Sequence, residues 1–416
     1  MKRCFLPVFS LMAAVVLFLS CEQASGVEDY SEVYTAQILE RPDDQFAEAN
    51  SYMGRSISVH QNRALVGCPT GAAYGGAFVY ELDSSGIWKQ VATLKPAGLN
   101  ARDEAGTTVA IHGDLALVGV PKRTSRQGAV YVYARQGDGS WLQEARLQPT
   151  DLAERDFYGT SVAVYGDRIA VGASDRDHEG KIDSGCVYVY KRVSAWEHEA
   201  TLFDSDAYWY QGRSLSMADG IIVSAIRDAD AIPPGGTESV QCGLVRVYAY
   251  SGTAWELRDT LVPAGGKDYD RFGMKTSIEG GRIAVISNGY DDSSVDCRSF
   301  YIFEKDGGGS WVQSANIPLN MITSDGDSSD ICISGDRIAI ANENALVQSI
   351  KTGIAIVYEL NADSQWQLKW MLYSPSPSDL SRFGQALAFY DSGILVSEMM
   401  NDQVAENAGA VYDFRW

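Results

Sequence analysis

The chain is poor in the residues that most functional classes depend on. Histidine occurs four times and proline 12 times in 416 residues. None of the seven cysteines falls in a CxxC spacing, so neither a zinc site nor a dense disulfide framework is encoded. Basic residues are in deficit: Lys+Arg 34 against Asp+Glu 54 leaves a net charge of −20. That balance argues against nucleic acid or an anionic membrane surface as the main partner and favours cations and basic ligands. No GxSxG, HExxH, GxGxxG or P-loop stands in a suitable context, so a binding role is expected before an enzymatic one. Helical periodicity is missing after residue 21. What is abundant is Gly (40), Tyr (22) and Trp (9), the composition of aromatic strands joined by many turns.

The N-terminus reads as a targeting segment. Lys2 and Arg3 precede an almost wholly apolar run from Phe5 to Leu19, too short to span a bilayer comfortably. The run ends Phe18-Leu19-Ser20-Cys21, which resembles the bacterial lipobox and implies cleavage before Cys21 and lipidation of its thiol. Residues 1–20 are therefore expected to be a signal peptide and 21–29 a lipidated cysteine and tether, placing the protein in a bacterial cell envelope. Losing Lys2 and Arg3 takes the mature charge from −20 to −22. Five cysteines remain in the body, and Cys242 with Cys297, at equivalent repeat positions, form the candidate bridge.

A length of 416 would ordinarily suggest two or three domains at ~150 residues each, but one repeat runs through the chain. From Gly159 it reads TSVAVYGDRIAVGAS, then GCVYVY, then AWEHEATLFD; the same series starts after Gly106. Trp88, Trp141, Trp196, Trp255, Trp311 and Trp366 mark one point in it, at gaps of 53, 55, 59, 56 and 55 residues. Alternation and turn residues cut each unit into four strands, as in Thr160–Val164, Arg168–Val171, Val187–Tyr190 and Trp196–Leu202. A period in the 50s with four strands per unit implies propeller blades. Seven first strands begin after Gly54, Gly106, Gly159, Gly212, Gly273, Ser328 and Gly384. The seventh unit has only three strands, and Val33–Ile38 resembles the missing fourth. The expectation is an all-β, seven-bladed propeller of four-stranded antiparallel blades over 30–416, its last blade closed by the N-terminal strand, with Trp416 supplying the aromatic that strand lacks.

These units resemble FG-GAP repeats, the propeller repeats of integrin α-subunit heads and of many bacterial surface proteins. Phe272-Gly273 and Phe383-Gly384 are FG pairs and Tyr158-Gly159 a close variant; Gly67-Cys68-Pro69, Gly119-Val120-Pro121 and Gly172-Ala173-Ser174 stand at GAP. Blades 4 to 7 lose the GAP glycine, and blade 6 has Ser328 for the FG glycine.

Loops joining strands two to three, and one blade to the next, share one face of such a disc, and acidic and aromatic irregularity falls there. Asp175, Asp177, Glu179 and Asp183 surround Gly180 at spacings that offer oxygen ligands to Ca²⁺. The pattern resembles the calcium loop of integrin blades, though that loop usually joins strands one and two. Tyr208-Trp209-Tyr210 lies off the tryptophan repeat position and is the candidate ligand platform. His60 and His112 occupy the same turn of successive repeats and read as structural. The resulting expectation is an envelope-anchored, monomeric binding module for a protein or glycan, attached to membrane only by its lipid. The alternatives are a polysaccharide-acting hydrolase or lyase, or a purely structural lipoprotein.

Overall fold

The computed structural model describes residues 35–39, 50–70, 75–100, 102–203, 206–289, 298–319, 329–347, 349–402 and 406–416. Lipidation at Cys21, the signal peptide, Cys297, Ser328 and the acidic run 291–296 lie outside them. Seven four-stranded antiparallel sheets follow one another along the chain. Blade 3 is typical, with strands Tyr158–Tyr165, Arg168–Ala173, Cys186–Arg192 and Trp196–Leu202 in that spatial order. These contain the four segments that alternation picks out, each extended by one to three residues or unchanged.

The first strand of each sheet lies against the first strand of the next, and the series returns from Phe383–Tyr390 to Ile57–His60, so the ring is closed around an axis lined by first strands. Strand faces are apolar because each sheet packs on two neighbours. One core cluster joins blades 2 and 3 through Leu117, Val132, Val171 and Tyr188; another joins blades 6 and 7 through Ile394, Val357, Trp370 and Phe414. The cluster between blades 7 and 1 gathers Leu39, Leu395, Val411, Phe78 and Trp88. Each such side chain contributes on the order of 2 kcal/mol when removed from water.

In the seventh sheet the outermost place is held by Thr35–Ile38, antiparallel to Ala410–Arg415, with Ile38 opposite Tyr412. The other six blades carry a register shift between strands three and four, as between Val189 and Tyr190, whereas this pairing runs without one. Trp416 stacks on Trp370 of blade 6 at 4.6 Å with Arg337 4.8 Å from its ring. Trp255 and Trp366 sit likewise over Arg168 and Arg282 of the blades before theirs, so Trp416 fills that position for blade 7.

The FG and GAP glycines have one steric cause. A Cβ on Gly172 would lie 2.0 Å from the carbonyl oxygen of Gly212, and one on Gly67 2.1 Å from that of Gly106. The two glycines belong to neighbouring blades and face each other. Where blade 6 has Ala341 for the GAP glycine, Gly384 of blade 7 still yields, since a Cβ there would come 2.8 Å from that of Ala341. One glycine likewise remains where Gly273 faces Ala225 and Gly54 faces Ser397, so the GAP signature fades in later blades without loss of the blade; between blades 5 and 6, where the sequence has Ile286 and Ser328, neither glycine is kept.

Candidate functional site

On the face formed by the two-to-three and blade-to-blade loops, the aromatic run lies alongside the acidic loop. The Tyr208 amide donates to the Ile182 carbonyl at 2.8 Å, Tyr210 to Asp183 at 3.1 Å and Gln211 to Ser184 at 2.9 Å. The Tyr210 hydroxyl also hydrogen-bonds to the Asp183 carboxylate. Two candidates separated by some 30 residues in sequence thus form one composite site at the junction of blades 3 and 4.

The loop is held by its own charges. Asp177 Oδ1 accepts from the Asp183 amide at 2.9 Å, His178 and Lys181 pair across a tight hairpin, and Lys181 Nζ reaches Asp206 at 2.7 Å. Arg176 binds Asp151 at 2.7 Å and lies over the Tyr188 ring. Burial, then the charges of Asp175 and Asp177, push the Asp183 carboxyl above its ordinary value. Three aspartates are therefore close enough to repel, the situation a cation relieves. Glu179 points to solvent with its side chain 75% exposed, and no group of three or more metal-ligating side chains is gathered among the described residues. As arranged, the four carboxylates do not make a calcium shell; one would require the Asp177–Asp183 contact to open.

The aromatic run is a repeat feature after all. Tyr208 and Tyr210 have φ of 64° and 54°, like Arg155 and Phe157, Tyr269 and Arg271, or Leu380 and Arg382, at the same place before other first strands. Between those positive-φ residues stand Asp156, Asp270 and Ser381 in their own blades, and Trp209 in this one. Asp156 and Asp270 are buried and accept from the backbone amide three residues earlier, both at 2.8 Å. Trp209 replaces that hydrogen bond with apolar packing on Ile226, Ala229, Ala231, Cys242 and Leu244. Blade packing thus accounts for much of Trp209, and Tyr208, 54% exposed, is the residue that faces outward. Tyr210 lies 5.2 Å beneath the Arg213 guanidinium. Cys242 in that cluster is a buried thiol whose pKa burial raises to about 12, and its candidate bridge partner, Cys297, lies outside the described residues.

A second group of residues on the same face was not singled out by the sequence reading. Two positions after the FG glycine stand Ser56, Thr108, Ser161 and Ser214 in blades 1 to 4. Three of these hydroxyls donate to the next blade's glycine carbonyl: Ser56 to Gly106 at 3.1 Å, Thr108 to Gly159 at 2.8 Å and Ser161 to Gly212 at 2.6 Å. Blades 5 and 6 put Lys275 and Asp330 there instead. Asp330 accepts from the Leu387 amide of blade 7 at 2.9 Å, and burial raises its pKa although Lys275 opposes the shift. Aligning the seven units on the FG glycine would have exposed this substitution.

Two stretches, residues 88–133 and 141–190, match the FG-GAP repeat family model. Each runs from the tryptophan strand of one blade through the third strand of the next, so the chain carries FG-GAP repeats across blades 1 to 3. No curated protein matches the chain. Among solved structures, a candidate 6-phosphogluconolactonase from Bacteroides uniformis aligns at 11% identity with a TM-score of 0.52, covering 78% of this chain and 86% of that one. At that identity the likeness speaks to the propeller fold alone.

Proposed function

We propose that this FG-GAP propeller is an envelope-anchored binding module, tethered through a lipid on Cys21, that recognises a protein or glycan at the junction of blades 3 and 4. The observation that carries this reading is the backbone pairing of 208–211 with 182–184, which sets an exposed tyrosine beside a carboxylate-rich loop. Aromatic side chains offer large contact area at low entropic cost, and the surrounding acids favour partners with donors or positive charge. A rigid ring presenting irregular loops is a common support for recognition.

An unbiased pull-down and a glycan array with the soluble 22–416 fragment test it. Loss of Tyr208 or Trp209 to Ala should cost on the order of 2 kcal/mol of binding if they form the central anchor, and under ~1 at a rim. Attraction should weaken between ~0.05 and ~0.5 M salt. A ligand whose binding ignores Tyr208, Trp209 and the 175–183 loop would place recognition elsewhere. Turnover on glycans lost with a single carboxylate would favour the hydrolase or lyase alternative, and no saturable ligand a structural lipoprotein.

A further inference from the structure

The outer rim between neighbouring blades repeats one arrangement, and at blades 5 and 6 that arrangement is left open. At the junction of blades 3 and 4, Glu199 of the fourth strand bonds Arg168 through both oxygens at 2.9 Å and accepts the Trp255 indole N–H at 2.8 Å. Tyr250 packs on Trp255 at 5.5 Å, with the Arg168 guanidinium 4.0 Å from the Tyr250 ring. Those four side chains close the junction. Two blades on, strand register puts Arg282, Ser314, Leu360 and Trp366 at the same four places. The carboxylate has become a hydroxyl and the tyrosine a leucine. Arg282 bonds instead to Glu304 of the third strand at 2.6 Å and to Asp336 of blade 6 at 2.8 Å. Between these blades lies a groove of about 340 Å³, lined also by Asn316 and Gln365. That volume is at the small end of ligand sites, ~300–1,000 Å³. The Trp366 indole N–H and the amides of the Asn316 and Gln365 side chains have no hydrogen-bond partner among the described residues.

We infer that the groove between blades 5 and 6 is a subsite for a neutral sugar of one or two pyranose rings. Arg282 and Glu304 are the only charged groups in its lining, and they are already paired with each other. Asp336, bound to the same guanidinium and 67% exposed, further disfavours an anion. Trp366 and Leu360 supply an apolar wall for the C–H face of a ring, and the indole N–H and two amides supply donors and acceptors for its hydroxyls. A comparable groove of about 320 Å³ opens between blades 4 and 5, but Lys305 stands there in the place of Leu360, 5.3 Å from the Trp311 ring. With Arg258 and Asp259 also in its lining, that groove is charged where this one is neutral. The inference does not rest on the reading at Tyr208, since it uses other blades and other residues.

Saturation-transfer NMR titration of the purified protein tests it, with the methyl pyranosides of glucose, galactose, mannose and N-acetylglucosamine and with cellobiose. D-glucuronate, D-glucosamine and glycerol serve as the acidic, basic and open-chain comparators. At least one neutral sugar should saturate and bind roughly tenfold more tightly than any comparator. Ser314→Glu, at an exposed position, restores the blade 3 carboxylate in register and should weaken that sugar about tenfold or more by filling the groove. Asn316→Ala and Gln365→Ala should each weaken it about threefold, the loss of one hydrogen bond. Trp366→Ala should abolish binding, and Ser314→Glu keeps the test decisive should that variant fail to fold. Saturation by no neutral sugar, equal affinity for a comparator, or binding that survives Ser314→Glu would each overturn the subsite. Sugar binding that ignores Ser314→Glu but falls with Tyr208→Ala would overturn it in favour of the blade 3–4 junction, whereas loss through Ser314→Glu alone supports the groove whatever Tyr208 recognises.

Discussion

In blades 1 to 4 a hydroxyl follows the FG glycine by two residues; in blades 5 to 7 Lys275, Asp330 and Ala386 stand there. The early blades also keep the GAP glycine in three of four cases, pack glycine against glycine, and pass a short hydrogen bond to the next blade. Three of the four later junctions meet the same packing demand with a single glycine, the fourth has Ile286 and Ser328 instead, and the later blades carry buried or half-buried carboxylates: Asp330, Glu343, Glu398 and Asp413, all pushed above their ordinary pKa by burial. A neutral hydroxyl bond of this kind contributes about 1 kcal/mol, whereas an incompletely paired buried carboxylate lowers stability. The difference teaches that the repeat is a steric requirement more than a chemical one. Sequence varies most at the later junctions, three of which keep one glycine while the one between blades 5 and 6 keeps none.

The largest effect on this contrast should come from breaking the ring where the two halves meet. Deleting residues 30–40 removes the Thr35–Ile38 strand and with it Leu39, buried against Met53 and Trp88. Leu39 alone accounts for about 2 kcal/mol, and the edge of Ala410–Arg415 is left unpaired. Aggregation, or a fall in Tm well beyond that of any single substitution below, is the expected outcome. A monomeric truncation of unchanged Tm would mean that the ring does not depend on that strand. Next in size is Trp416→Ala, which loses the stack on Trp370 and the contact with Arg337, together about 2–3 kcal/mol. Chemical denaturation that finds a cost under ~0.5 kcal/mol would show that Trp416 is not equivalent to Trp255 and Trp366.

Acidification should move the histidine turns of the early blades and the last two blades in opposite directions. On the face away from the candidate site, His60, His112 and Tyr165 of blades 1 to 3 stack at 4.2 and 4.6 Å. His60 Nδ1 accepts from the Gly113 amide at 3.1 Å, His112 Nδ1 from Gly166 at 3.3 Å, and the Tyr165 hydroxyl donates to Asp219 at 2.6 Å. Burial lowers both imidazoles below their ordinary 6.5, and His60 is lowered further by His112 and Arg63, the latter paired with Glu81 and Asp114. The folded state thus binds fewer protons, and stability held above about pH 6.5 is lost as pH falls below it. The raised carboxylates of blades 6 and 7 have the reverse sign: they gain protons on folding, and stability increases as pH falls through their folded values. Hydrogen exchange between pH 7.5 and 5, corrected for intrinsic rate, should show protection falling at the turns that hold His60, His112 and Tyr165 and rising in blades 6 and 7. His112→Asn should flatten the first trend and Asp330→Asn the second. Uniform change around the ring would refute the contrast.

Almost all of the fold was legible because glycine, tryptophan and strand alternation repeat in register with the backbone. The site was only half legible. Asp175, Asp177 and Asp183, with Tyr208 and Tyr210, stand out in sequence, but their pairing arises between loops of neighbouring blades, which no local pattern encodes. Trp209 misleads, because it takes the place of a buried aspartate and its packing partners, Ile226 and Cys242, lie further along the chain. Lys275 and Asp330 look like ordinary charges until the repeats are aligned. Their place in the repeat, where earlier blades carry a hydroxyl, makes them unusual.

The smallest expected effect concerns calcium at Asp175, Asp177, Glu179 and Asp183. Binding must open the contact between Asp177 and the Asp183 amide and turn Glu179 inward, so affinity should lie in the weak range of extracellular sites, about 10⁻⁴ to 10⁻³ M. At 2 mM calcium that gives about 0.6–1.8 kcal/mol of stabilisation, a Tm rise of a few degrees at most. The gain comes from relieving repulsion at Asp183, so Asp175→Asn should remove most of it and also stabilise the calcium-free loop slightly. Magnesium, which needs closer octahedral oxygens, should give less. A scan in calcium against chelator decides the matter: no shift in the intact protein, or an equal shift after Asp177→Ala, would remove calcium from this loop and leave the blade 3–4 junction to bind its partner without a metal.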